Sequence, residues 1–118
     1  MDKLEKIFEL QRKFDQELIE KRGLAGIPNE KWLQMQTLAM LSEMAELLNE
    51  LNFKWWKNPV EVNENNVKEE LVDILHFFVA MCIKSGMSAD ELFEKYIGKN
   101  KENFDRQRGI SSKKGYEV

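Results

Sequence analysis

Apolar side chains along this chain recur every three or four positions and are interrupted by short polar or glycine-bearing breaks, the pattern of amphipathic helices. Leu4, Ile7, Phe8, Leu10, Phe14, Leu18 and Ile19 keep that spacing until Gly23-Leu24-Ala25-Gly26-Ile27-Pro28, which predicts one helix and a loop. A second helix is expected from a cap at Asn29 to about Asn52, with Leu33, Met40, Leu41, Met44, Leu47, Leu48 and Leu51 as its apolar stripe. Asn58-Pro59 and Asn63-Glu64-Asn65-Asn66 break the period, and Asn65 or Asn66 is expected to cap a third helix reaching about Lys84, before Ser85-Gly86. Ser88-Ala89-Asp90-Glu91 has the capping-box order, in which hydroxyl and carboxylate satisfy the free amides of a helix start. A fourth helix follows, carrying Leu92, Phe93, Tyr96, Ile97 and Phe104 up to Gly109. No hairpin signature or internal repeat competes, and short connections favour antiparallel neighbours, so the expected fold is an all-α antiparallel four-helix bundle.

Length and composition sharpen this picture. The 118 residues suit one domain, 1–118, in which 110–118 reads as a mobile tail, and 42% hydrophobic with 33% charged residues supports a packed core. A bundle this small has much surface for its volume, so completion by homo-oligomerisation, a homodimer by default, is expected. A formal charge of -3 gives no positive field to draw nucleic acid. The charged N-terminus is unlike a signal peptide and no stretch is apolar enough to span a bilayer, which reads as a cytoplasmic protein without a membrane partner. The single cysteine, Cys82, lies in an apolar run and reads as a small hydrophobe.

Chemistry enters with the carboxylates. Glu43 and Glu46 stand three apart on the second helix, Glu70 and Asp73 three apart on the third, a spacing that puts β-carbons about 5–6 Å apart on one face. Spacing alone is weak, since Asp2/Glu5, Glu17/Glu20, Glu61/Glu64, Glu91/Glu94 and Glu102/Asp105 share it. The third helix discriminates: Leu71 to Ile83 is apolar nearly all round, so it should be mostly buried, and Glu70 and Asp73 border packed surface near Phe77 and Ala80. Antiparallel packing of helices two and three would gather Glu43, Glu46, Glu70 and Asp73 into a site that multivalent cations stabilise. Magnesium fits, because it takes oxygen ligands and keeps waters and phosphates in its shell. His76 is the sole histidine, whereas di-iron bundles use two, so it reads as a packing residue or an outer partner. The shortage of histidine and cysteine excludes a zinc finger, and no phosphate-cradling glycine loop is present.

The ordered set Glu43-x-x-Glu46 and Glu70-x-x-Asp73 resembles the all-α nucleoside triphosphate pyrophosphohydrolases, the MazG proteins and the dimeric dUTPases, with the nearer likeness to a compact dimeric dUTPase. Leu47-Leu48-Asn49-Glu50, Phe53-Lys54-Trp55-Trp56 and Glu70-Leu71-Val72-Asp73-Ile74-Leu75-His76-Phe77 are similar to that family's motifs, and Lys99-Asn100-Lys101-Glu102-Asn103-Phe104-Asp105-Arg106-Gln107 resembles its phosphate-binding segment. The resemblance implies Glu43, Glu46, Glu70 and Asp73 as magnesium ligands, with Glu46 also orienting or deprotonating the attacking water. It implies Lys99, Asn103 and Arg106 as phosphate-binding residues, and Gln11, Trp56 and Phe77 as base-binding residues. The implied reaction is magnesium-dependent hydrolysis of dUTP to dUMP and pyrophosphate. Phe14 stands where the family has an asparagine, and Gly109-Ile110-Ser111 lacks an aromatic found there in the family; both bear on specificity. Two rival readings are a pyrophosphohydrolase preferring dCTP or a broad nucleotide set, and a non-enzymatic helical module that docks a partner through Trp55 and Trp56.

Overall fold

The computed structural model of the protein describes residues 1–118. It contains four helices and no strand: α1 (Lys3–Arg22), α2 (Asn29–Glu50), α3 (Glu64–Lys84) and α4 (Ala89–Gln107). The all-α expectation holds, and each helix end has a local cause. Asp2 caps α1 by accepting from the Glu5 amide at 2.8 Å, and Gly23 ends it in a left-handed conformation at φ 65, which glycine adopts without a Cβ penalty. α3 begins with Asn63, whose side chain accepts from the Asn66 amide at 3.1 Å, so the cap lies earlier than the expected Asn65 or Asn66. Ser88 caps α4 as expected, accepting from the Glu91 amide at 3.1 Å.

Asn29 differs from its expected role. Pro28 occupies the cap position of α2 without a side-chain hydrogen bond, and Asn29 is the first helical residue. Its Nδ2 instead donates to the Lys84 carbonyl at 2.6 Å, satisfying one of the free carbonyls that every helix leaves at its C-terminus. The start of α2 is thereby tied to the end of α3. Further along, the Thr37 hydroxyl faces the Met81 sulfur at 3.9 Å, so the two helices run antiparallel.

Two compact units are present, Met1–Gly86 and Met87–Val118. Within the first, α2 lies along α3 and α1 packs on α3. Phe8 and Val79 are fully buried, and Trp32, Ala80 and Cys82 are nearly so. Full burial of a phenylalanine contributes about 1.5–3 kcal/mol, which makes Phe8 a main attachment of α1. The Lys84 ammonium sits 5.2 Å from the Trp32 ring, and burial pushes the Cys82 thiol above its usual range, as suits an unreactive core cysteine. α3 departs from the expectation of near-complete burial. Its C-terminal half supplies Val79, Ala80 and Cys82 to the core, while Leu71, Val72, Leu75 and Phe78 remain exposed.

The second unit is α4 and the residues after it. Glu102 accepts from the Arg106 Nε at 3.0 Å and from the Ser111 hydroxyl at 2.6 Å, and the Lys113 amide donates to the Ser111 oxygen at 3.1 Å. Ser111 is buried, and the Arg106 guanidinium lies 5.2 Å from the Tyr116 ring. No single helix of the chain is long and apolar enough to cross a membrane.

Candidate metal centre

The antiparallel pairing of α2 and α3 decides where their acids meet. Asn29 fixes the register at one end, and fourteen and seventeen residues further along α2 the Glu43 and Glu46 side chains reach Glu70 of α3. Glu43, Glu46 and Glu70 each offer a carboxylate oxygen, and the three oxygens lie within 4.8 Å of one another. A magnesium octahedron with ligands at about 2.1 Å sets opposite oxygens about 4.2 Å apart, so the convergence is on the scale of one ion.

Electrostatics mark the same place. Partial burial, with the Glu46 carboxylate beside it, pushes Glu43 up to about 7. Glu70 is raised as well, first by burial and then by the charge of Glu46. Glu43 Oε2 and Glu70 Oε2 are buried with no hydrogen-bond partner. Each such oxygen is costly to leave unmatched. An all-oxygen donor set with two unsatisfied buried oxygens and mutual repulsion fits a hard divalent cation.

Asp73 stands one turn beyond Glu70 and is exposed, outside the convergent trio. It is near enough for its charge to raise both Glu43 and Glu70. α2 and α3 thus bring three of the four sequence-predicted ligands together and keep the fourth at the rim.

The residues expected at the base are spread along the first unit. Gln11 of α1 is buried at 6 % exposure, its Oε1 2.9 Å from His76 Nδ1 of α3, and its Nε2 donates to Asp15 Oδ1 at 2.9 Å. Asp15 is raised by burial, against the Gln11 hydrogen bond and the charges of Lys84 and His76, and its Oδ2 is buried without a partner. Phe77, the neighbour of His76, is half-buried. Trp56 is exposed on the loop between α2 and α3, edge-on to Trp55 at 5.4 Å and to Phe53 at 6.4 Å. That loop is closed by Asn52, at φ 56, whose side chain donates to the Val60 carbonyl at 2.8 Å and accepts from the Val60 amide at 3.0 Å. Lys99 and Asn103 are exposed on α4, and Arg106 is held by Glu102.

Sequence reasoning missed Asp15 and the side-chain chain that links it through Gln11 to His76. The signal was available in part, since Gln11 and Asp15 stand four apart on one helix face. The contact from α1 to α3 depends on helix packing, which spacing does not encode.

Comparison with known proteins bears on this geometry. The chain is 37% identical over 86 residues to a protein of Enterobacteria phage T4 named dCTP pyrophosphatase, an overlap of 61% of this chain and 50% of that one. A second dCTP pyrophosphatase, of Enterobacteria phage LZ5, is 54% identical over 41 residues, covering 35% of this chain and 24% of the relative. A DNA replication protein of phage T4 is 35% identical over 80 residues, 56% of this chain and 20% of the relative. The chain thus spans about half the length, or less, of these curated relatives. No solved structure matches it. The model of the family described as dUTPase matches residues 3–86, which takes in Gln11, the convergent carboxylates and Phe77 and leaves Lys99, Asn103 and Arg106 outside. With most of its length matched and the acidic pairs of α2 and α3 inside the match, the chain belongs to the dUTPase family, among the all-α nucleoside triphosphate pyrophosphohydrolases.

Proposed function

We propose that the protein is a magnesium-dependent dUTP diphosphatase, hydrolysing dUTP to dUMP and pyrophosphate. The observation that carries this reading is the convergence of Glu43, Glu46 and Glu70, with two buried and unmatched carboxylate oxygens, inside a region that matches the dUTPase family. Magnesium bound there supplies charge neutralisation at the phosphate oxygens and an acidified water. Glu43, Glu46 and Glu70, with Asp73 at the rim, hold the ion. Glu46 is the exposed member of the trio and orients or deprotonates the attacking water. Lys99, Asn103 and Arg106 bind phosphates, the arginine through its planar fork of donors. Gln11, Trp56 and Phe77 bind the base, the amide by donating and accepting and the rings by packing.

The functional protein in this reading is a homodimer in the cytoplasm, where nucleoside triphosphates and magnesium are both at hand. Its support is the apolar surface that the first unit leaves uncovered: Leu10 and Phe14 on α1, Leu41 and Leu48 on α2, and Leu71 and Leu75 on α3.

A second reading changes only the base. Two relatives carry the name dCTP pyrophosphatase, which favours dCTP as substrate in place of dUTP. A pyrophosphate-release assay over dUTP, dCTP and the other deoxynucleotides, with and without magnesium, tests both. Release from dUTP above all others supports the first reading, and release from dCTP alone supports the second. Magnesium binding with no release from any nucleotide would leave a helical interaction module. Glu70→Gln should abolish magnesium-dependent release while the circular dichroism of the helices is kept.

A further inference from the structure

Gln11 is a polar side chain buried between two helices, and both of its functional ends are already engaged. His76 Nδ1 lies 2.9 Å from Oε1, and Nε2 donates to Asp15 Oδ1 at 2.9 Å. An ionised carboxylate only accepts, so turning the Gln11 amide over would set its carbonyl against the Asp15 oxygen. With Nε2 committed to Asp15, the carbonyl must face His76, which requires the proton on His76 Nδ1. The three side chains therefore fix one orientation of the amide, one end anchored on α1 and the other on α3. What remains to Gln11 is one N–H and one lone pair, in a fixed order in space.

That order matters for pyrimidines. Uracil offers an acceptor at position 4 and a donor at N3, whereas cytosine offers a donor at position 4 and an acceptor at N3. A freely turning amide pairs with either edge by exchanging its oxygen and nitrogen. A locked amide pairs with one, and the other base leaves buried polar groups opposed. We propose that Asp15 and His76 are positioning residues which lock the Gln11 amide and so discriminate between 4-oxo and 4-amino pyrimidine nucleotides. This rests on the reading of Gln11 as a base-binding residue.

The test is the ratio of kcat/KM for dUTP to that for dCTP in the full chain and in Asp15→Asn, His76→Phe and Gln11→Ala. Asparagine keeps the shape of Asp15 but can donate as well as accept, so the amide is free to turn. The expected result is a ratio that moves toward one by about tenfold or more in Asp15→Asn and His76→Phe, through a rise in kcat/KM for the disfavoured nucleotide. A merely structural loss would lower both nucleotides alike and leave the ratio in place, which overturns the lock. Should His76→Phe fold poorly, Asp15→Asn and the ¹⁵N resonances of the wild-type imidazole still decide, since a proton on Nε2 in place of Nδ1 is incompatible with the lock. An unselective wild type would also overturn it. Gln11→Ala separates the two levels of the argument. Unchanged KM for both nucleotides removes Gln11 from the base site and the lock with it, whereas raised KM beside an unmoved ratio in the other variants keeps the base site and discards the lock.

Discussion

Glu43 stands where a proton and a cation compete for the same carboxylate. Burial and Glu46 raise it to about 7, above its usual value of 4.5, so the metal-free native state binds a proton that the unfolded chain releases. Between those values the native state holds more protons, and its stability falls as the pH rises through the window, levelling above about 7. Thermal melting of the metal-free protein should therefore drop between pH 5 and pH 7.5, and added magnesium should raise the melting temperature more at pH 8 than at pH 5.5. A melting temperature indifferent to magnesium at pH 8 would remove the ion from these residues. At this scale the two acidic pairs were legible, because charges in a helix as apolar as α3 need an explanation that spacing alone does not supply. Asp73 was legible only as a member of its pair; its place at the rim follows from rotation about the α3 axis. The contact between Gln11 and His76 was not legible, because a hydrogen bond between residues 65 apart depends on packing.

The starts of α1, α3 and α4 are each capped by one side-chain hydrogen bond, and α3 has the most to lose from its own. Asn63 holds the first turn, and Glu70 lies less than two turns further on. Asn63→Ala should cost about 1 kcal/mol of unfolding free energy in a urea titration and weaken magnesium binding as the first turn frays. The existence and order of all four helices could be read from the apolar period, and their ends to within a few residues. Where a boundary missed, the cause is specific. A run such as Asn63-Glu64-Asn65-Asn66 offers three cap residues of equal propensity, and only the path of the loop from Val60 selects among them. Asn29 was misread because a proline before it already provides an extended backbone, leaving its amide free to reach the end of α3.

For the molecule as a whole, the apolar composition of α3 was legible and its covering was not. Leu71, Leu75 and Phe78 share one side of the helix and remain partly exposed. Sedimentation at micromolar concentration should report a particle of twice the 14.0 kDa chain mass, and Leu71→Glu should return it to one chain while the helices persist. A monomeric wild type at that concentration would refute the dimer. A second consequence lies in the loop that Asn52 fastens to Val60. Between these anchors Lys54 and Lys57 are exposed, two sites at which trypsin would cut if the segment could be drawn into the protease. Unfastening it with Asn52→Ala should speed nicking after these lysines several-fold over the parent, and the fragments would carry the carboxylates of α2 and of α3 on separate polypeptides. By fastening that loop, Asn52 would thus keep the acids of α2 and those of α3 on one unbroken polypeptide.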